Sequence, residues 1–198
     1  CAGAAFIEKD IKRIIAYSTI SQIGFIFFGL AVNEKIAIAG GLLYILMHGI
    51  SKAGLFLCAG IVEQNTKIKD ITRLGGLIKT MPITAVSFLF CAFSVMGIPP
   101  FGGFFSKYMV FAGAAAGNQL WVGLVFMLGA FMTIIYLFRV FNLVFLGQTQ
   151  SSQGQEGSPI MVASVAILAF VSLLSGIFIN YPSGFVQTVV ASLPGIIR

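Results

Sequence analysis

Tyr44, His48 and Lys52 follow one another at intervals of four residues inside an apolar stretch that runs over about 36–62. In a helix that spacing places all three on one face, about 6 Å apart along the axis. Their side chains can form a polar ladder with water between the rungs. Imidazole exchanges protons near neutral pH. An ammonium group taken out of water gives up its proton more readily. The chemistry such a constellation suits is proton transfer, each group alternately accepting and releasing. A second lysine, Lys107, has apolar flanks, with Phe104 and Phe105 before it and the segment 108–116 after it. The competing explanation is structural: a His bonded to a neighbouring helix, and lysines that snorkel to a membrane surface. The His–Lys pairing one turn apart in mid-span, and the flanks of Lys107, favour the relay.

The surroundings give these groups their meaning. The chain has 198 residues, of which 58% are hydrophobic and only 9% charged, against about 25% charged in an ordinary soluble domain. Such a chain cannot cover a soluble surface with polar groups, which excludes a soluble enzyme. It also excludes a disordered chain, which needs low hydrophobicity and high net charge. The apolar runs are long and continuous, near the roughly 20 residues that cross a bilayer as helix, unlike the short alternating segments of a membrane barrel. Phe (20) and Gly (23) are abundant, as suits close-packed membrane helices. The expected fold is therefore all-α, a polytopic transmembrane bundle. In that setting each buried ionisable group costs a few kcal/mol, which makes it a marker of function.

Spans are expected over about 12–32, 36–62, 81–117, 119–146 and 160–181. The first carries a polar cluster, Ser18, Thr19, Ser21 and Gln22 after Tyr17. Lipid would not tolerate it, so it faces other helices, either wetting a path beside Lys52 or binding helices together. The third is too long for one plain span. At its middle stand Gly97, Pro99, Pro100, Gly102 and Gly103. Two prolines remove two backbone donors, so the helix breaks here into halves joined by an unwound stretch. Broken helices in transporters expose backbone groups to a cavity at mid-membrane depth, and Lys107 lies one turn into the second half. The segment 147–159, rich in Gln, Ser and Gly, reads as a surface loop. The tail with Pro182 and Pro194 is apolar enough to lie at the interface.

Numbering sides alternately, one side holds Lys9, Lys12, Arg13, Lys67, Lys69, Arg73 and Lys79, and the other Lys35 and Arg198. This asymmetry places loops 8–13, 63–80 and 147–158 in the cytoplasm and explains the net charge of +6 without a nucleic-acid partner. All acids (Glu8, Asp10, Glu34, Glu63, Asp70, Glu156) fall in expected loops. Cys1, Cys58 and Cys91 fit neither a disulfide framework nor a metal knuckle. No phosphate-cradling loop, iron–sulfur cluster motif or nucleophile–base pair is evident. No cofactor and no redox chemistry are therefore expected of this chain itself. Residues 1–7 read as the tail of a further span, so the chain is expected to be a fragment.

Three stretches carry a resemblance. Residues 10–24, from Asp10-Ile11-Lys12-Arg13 through Tyr17-Ser18-Thr19-Ile20-Ser21-Gln22, form the first. Met47-His48-Gly49-Ile50-Ser51-Lys52-Ala53 and the run from Gly97-Ile98-Pro99-Pro100 to Ser106-Lys107 are the others. Together they resemble the antiporter-like subunits of respiratory complex I, of Mrp-type cation/proton antiporters and of membrane-bound hydrogenases. The match covers residues 1–147. It implies a fold with two inverted five-helix repeats, each with a broken helix, of which residues 1–147 are the second; residues 148–198 add a loop, a final span and a tail. It implies that Lys52 is the central relay lysine with His48 beside it, and that Lys107 is the group near the outward exit. Tyr44 stands where some members carry a second His. The family's Glu–Lys pair belongs to the first repeat.

The resulting expectation is a proton-translocating membrane subunit of a redox-driven complex. It would sit among other membrane subunits in a bacterial or archaeal energy-coupling membrane. Two alternatives stand beside it: an Mrp-type cation/proton antiporter without electron transfer, moving sodium against protons, and a structural subunit that transports nothing.

Overall fold

The computed structural model describes residues 1–148 and 154–192. Among them the chain forms α1 (Ala2–Ile7), α2 (Ile11–Ala31), α3 (Lys35–Thr66), α4 (Pro82–Met96), α5 (Gly102–Ala116), α6 (Leu120–Phe141), α7 (Pro159–Ile177) and α8 (Asn180–Ala191). A π-helical turn, Asn142–Leu146, prolongs α6. Helices α2, α3, α7 and the prolonged α6 are each long and apolar enough to cross a bilayer. Helices α4 and α5 have 15 residues each, about 22 Å at 1.5 Å per residue. Only the two together span the ~30 Å hydrocarbon core. The described residues thus form an all-α transmembrane bundle in which one helix is broken into two halves.

Helix α3 is the axis. It packs against α2, α4, α5, α7 and α8, and its buried face runs from Ala37 to Val62. Small residues set how close its neighbours come. A methyl group added at Gly113 of α5 would stand 2.6 Å from the Ala37 amide nitrogen, and one at Gly40 would meet the Val110 nitrogen at 2.7 Å. The backbones of α3 and α5 are therefore in contact, as membrane helices driven by packing require. This contact brings Lys107 of α5 beside Tyr44 of α3.

The end of α3 extends beyond the expected span. Glu63–Thr66 add a polar turn, in which Asn65 and Thr66 donate back to the Ile61 and Val62 carbonyls. Lys67, at φ 60°, stops it. Glu63 is therefore helical rather than in a loop. It pairs with Lys12 at 2.7 Å and Lys69 at 3.4 Å.

Two short segments with a shared pattern lock this end. In Lys9-Asp10-Ile11-Lys12-Arg13 and Lys69-Asp70-Ile71-Thr72-Arg73, Ile11 N–H donates to the Lys69 carbonyl and Ile71 N–H to the Lys9 carbonyl. Asp10 accepts from the Lys12 and Arg13 amides and caps α2, and Asp70 caps the following turn through Thr72. Asp and Asn are favoured at such positions because a short polar side chain reaches amides that the helix leaves unpaired.

The last span is shorter than the pattern 160–181 suggests. Helix α7 ends at Ile177, and the chain restarts as α8 at Asn180. Pro182 explains the stop. A continuous helix would need its missing N–H to bond the Phe178 carbonyl, whereas the first turn of a new helix needs no such bond. Val186 and Val190 of α8 then bury against the group containing Leu43, Tyr44 and Met47. Pro194 and Arg198 of the tail, and the middle of the loop 147–158, lie outside the described residues.

Candidate functional site

The break in the α4–α5 helix builds half of the site. Gly97 adopts φ 83°, a left-handed conformation that residues with a Cβ avoid. It turns the chain so that Ile98 N–H reaches back to the Phe93 carbonyl at 2.9 Å. Pro99 and Pro100 supply no amide to continue the ladder. The Val95 and Met96 carbonyls at the end of α4 are thereby freed, and Lys107 takes them. Its ammonium donates to Val95 O at 2.7 Å and to Met96 O at 3.5 Å. It also lies 4.8 Å from the Phe25 ring centroid and 5.5 Å from that of Tyr44. A cation at the negative end of a helix, over two aromatic faces, is held by partial charges alone. Gly103 packs onto the Ser94 carbonyl and Gly176 of α7 onto the Pro100 carbonyl, so the break is clamped from both sides. Gly102 meets Met47 and Ser175 in the same way.

The other half lies between α2, α3 and α6. Lys52 is 5% exposed. Its ammonium donates to Ser18 Oγ at 2.6 Å and to the Ile15 carbonyl at 3.2 Å. Tyr136 of α6 hydrogen-bonds the same Ser18 oxygen at 2.7 Å and Thr133 Oγ1 at 3.3 Å. Gln22 Nε2 donates to Thr133 Oγ1 at 2.8 Å, and the Tyr44 hydroxyl donates to Gln22 Oε1. Ser18, Gln22, Tyr44, Thr133 and Tyr136 have no solvent exposure. A chain of polar contacts therefore runs from Lys52 to the ring that faces Lys107.

The expected ladder along α3 takes a different form. Tyr44, His48 and Lys52 share a face, but Tyr44 and Lys52 bond across to α2 instead of to His48. His48 lies with its ring 5.6 Å from that of Tyr44. Both its nitrogens are buried without a hydrogen-bond partner among the described residues. Of the polar cluster on α2, Ser18 and Gln22 enter the site. Ser21 is half-buried, forms no hydrogen bond among the described residues, and stays outside. Thr133 and Tyr136 join the site without having stood out in the sequence. Their signal there is faint: two polar residues three apart, hence on one face, in a span whose other polar side chains, Arg139 and Asn142, stand nearer its end.

Among the described residues no carboxylate pairs with Lys52 or Lys107; the ion pairs there are Lys12–Glu63, Arg13–Glu8 and Lys69–Glu63. Two ammonium-bearing side chains inside the bundle thus rest on neutral oxygens and ring faces.

Comparison with known proteins agrees with this architecture. Residues 1–133 match the family model described as NADH:quinone oxidoreductase/Mrp antiporter, TM. The chain is 35% identical over 166 residues to an Na(+)/H(+) antiporter subunit of Alkalihalophilus pseudofirmus, covering 84% of this chain and 34% of that protein. It is 38% identical over 143 residues to an NADH-quinone oxidoreductase subunit of Desulforudis audaxviator, covering 72% of this chain and 28% of the relative. It thus spans about a third of the length of these relatives. A chain of the Mrp complex from Dietzia sp. DQ12-45-1b superposes with a TM-score of 0.92 at 25% identity, over 98% of this chain and 45% of the other. A bundle with a helix broken at Gly97–Gly103, two lysines facing its interior, and a family match over residues 1–133 lead to one conclusion: the chain belongs to the NADH:quinone oxidoreductase/Mrp antiporter transmembrane family.

Proposed function

We propose that this chain forms part of a proton-translocating membrane subunit of a redox-driven complex, an NADH:quinone oxidoreductase-type translocase or a membrane hydrogenase. It performs no electron transfer itself. Protons enter from the cytoplasm, reside on Lys52 and His48, and leave by way of Lys107. The loops around Asp10 and Asp70, with the excess of Lys and Arg, face the cytoplasm. The observation that supports this reading is the holding of Lys52 and Lys107 by neutral oxygens and ring faces, with no carboxylate among the described residues. A buried lysine locked to a carboxylate loses its proton only by stranding the partner charge. A lysine bonded to hydroxyls and carbonyls can change charge without breaking an ion pair. His48, with both nitrogens unengaged, has hydrogen-bonding capacity to spare between the two.

The test is proton movement into vesicles carrying the complete protein with its partner subunits. Lys52→Ala and Lys107→Ala each abolish most of it. Normal uptake in both variants overturns the reading.

A second reading is an Mrp-type cation/proton antiporter subunit without electron transfer. The similarity to the antiporter subunit of Alkalihalophilus pseudofirmus favours it. Gentle isolation of the native assembly separates the two. Flavin, iron–sulfur or nickel subunits that co-purify support the redox-driven complex. Small hydrophobic companions, no metal, and sodium flux support the antiporter.

A further inference from the structure

Ser18, Tyr136 and Thr133 place three hydroxyl groups in a row behind Lys52, with separations of 2.7 Å and 3.3 Å. A hydroxyl rotates to suit its neighbours and both donates and accepts. The row can therefore point in either direction. With Lys52 charged, its ammonium donates to Ser18, Ser18 to Tyr136, Tyr136 to Thr133, and Thr133 to the Gly129 carbonyl, which stands 2.8 Å away. With Lys52 neutral, the row reverses. Gln22 Nε2, at 2.8 Å, donates to Thr133, Thr133 to Tyr136, Tyr136 to Ser18, and Ser18 to the free lone pair of Lys52. Every hydroxyl proton has an acceptor in both arrangements.

The row has a donor beyond one end, the Gln22 amide, and an acceptor beside it, the Gly129 carbonyl. Neither hands a proton on: an amide nitrogen holds its hydrogens and a peptide carbonyl only accepts. The row is therefore no conduit. We infer that Ser18, Tyr136 and Thr133 form a reversible hydroxyl string that satisfies Lys52 in both of its charge states, with Tyr136 as the positioning residue. The inference rests on the transport reading of Lys52. It adds a function for α6, which supplies two of the three hydroxyls. In a membrane interior an unmet hydrogen-bonding group is expensive. Removing the Tyr136 hydroxyl strands the Ser18 proton when Lys52 is charged, and leaves Ser18 without a donor when Lys52 is neutral. Ser18 then loses the partner through which it reverses as Lys52 changes charge, so the barrier between the two states rises and cycling slows.

The experiment uses the complete membrane protein with its partner subunits, in vesicles with a pH-sensitive dye, with rates taken per assembled complex. Tyr136→Phe and Thr133→Val each slow proton movement about tenfold, the scale expected for one lost hydrogen bond near a charge. Thr133→Ser stays within about twofold of the parent, because the hydroxyl remains. A packing role for residue 133 reverses that order, since Val matches Thr in shape while Ser leaves a methyl-sized gap. Parent-like rates in Thr133→Val, or loss with Ser and retention with Val, overturn the inference. If Tyr136→Phe fails to assemble, the pair at residue 133 decides. Lys52→Ala is the control. Normal transport in that variant brings down the relay reading and the string with it, whereas a dead Lys52→Ala beside active Tyr136→Phe and Thr133→Val brings down the string alone.

Discussion

Lys107 and Val95 lie twelve residues apart in sequence and meet across the break in their helix, ammonium to carbonyl at 2.7 Å. The contact links two consequences of one local event. The left-handed turn at Gly97 frees the carbonyl, and the restart at Gly102 returns the lysine to it. Lys107→Met keeps most of the apolar stem and removes the donor. It leaves the Val95 and Met96 carbonyls facing an apolar side chain, at a cost of about 1–3 kcal/mol. The expected result is a lower melting temperature for the purified complex together with lost proton movement. An unchanged melting temperature would show that the carbonyls do not depend on this donor.

Gly97 itself carries the second prediction. At φ 83°, with Lys107 Cδ 3.0 Å from the place of a new Cβ, Gly97→Ala is strained and crowds the lysine stem. The left-handed conformation alone costs about 1–2 kcal/mol. Thermal unfolding in detergent should show that loss, and transport should fall with it as Lys107 shifts. Parent-like stability would mean that the break can be made without this turn.

Asp70 predicts a pH dependence at the polar end of the bundle. The Thr72 hydroxyl and amide, more than nearby Lys9 and Arg73, hold its carboxyl below the usual carboxylate range. A carboxylate whose pKa is lower in the folded state adds stability above its unfolded value of about 3.9, and that stability is lost as pH falls through the folded value. Asp70→Asn should therefore melt below the parent at about pH 7, and the gap should close as the pH drops below about 4. A gap constant over that range would assign the effect to shape rather than charge.

Glu156 reaches from the loop before α7 to the start of α4. Its carboxylate accepts from the Ile83 amide at 2.8 Å, the Thr84 amide at 3.2 Å and the Thr84 hydroxyl at 2.8 Å. Met81 stands at the N-cap of α4 with a side chain that offers no capping oxygen, so the cap comes from 73 residues away. Glu156→Ala should cost about 1 kcal/mol, as other lost N-caps do. Hydrogen exchange at the Ile83 and Thr84 amides should quicken about fivefold on that scale. Unchanged exchange would show that the cap is dispensable.

Composition and spacing alone specify a large part of this protein. A chain with 9% charged residues must place its apolar surface in lipid, and the lengths of its apolar runs set the spans. Gly97, Pro99 and Pro100 announce the break because their effects on the backbone are local. Tyr44, His48, Lys52 and Lys107 stand out because a polar or ionisable group in an apolar run is costly wherever the run packs. The partners of those groups follow different rules. Lys52 meets Ser18 and Tyr44 meets Gln22 because small residues such as Gly29 and Gly41 bring the backbones of α2 and α3 together, and Tyr136 and Thr133 join them from α6. His48 shares a face with its neighbours and still bonds neither, since a helical face permits contact without requiring it. Glu156 finds α4 through the fold of a loop, and α8 finds α3 because Pro182 ends the span before it. Periodicity reports which way a side chain points from its own helix, while interhelical packing chooses what it finds there.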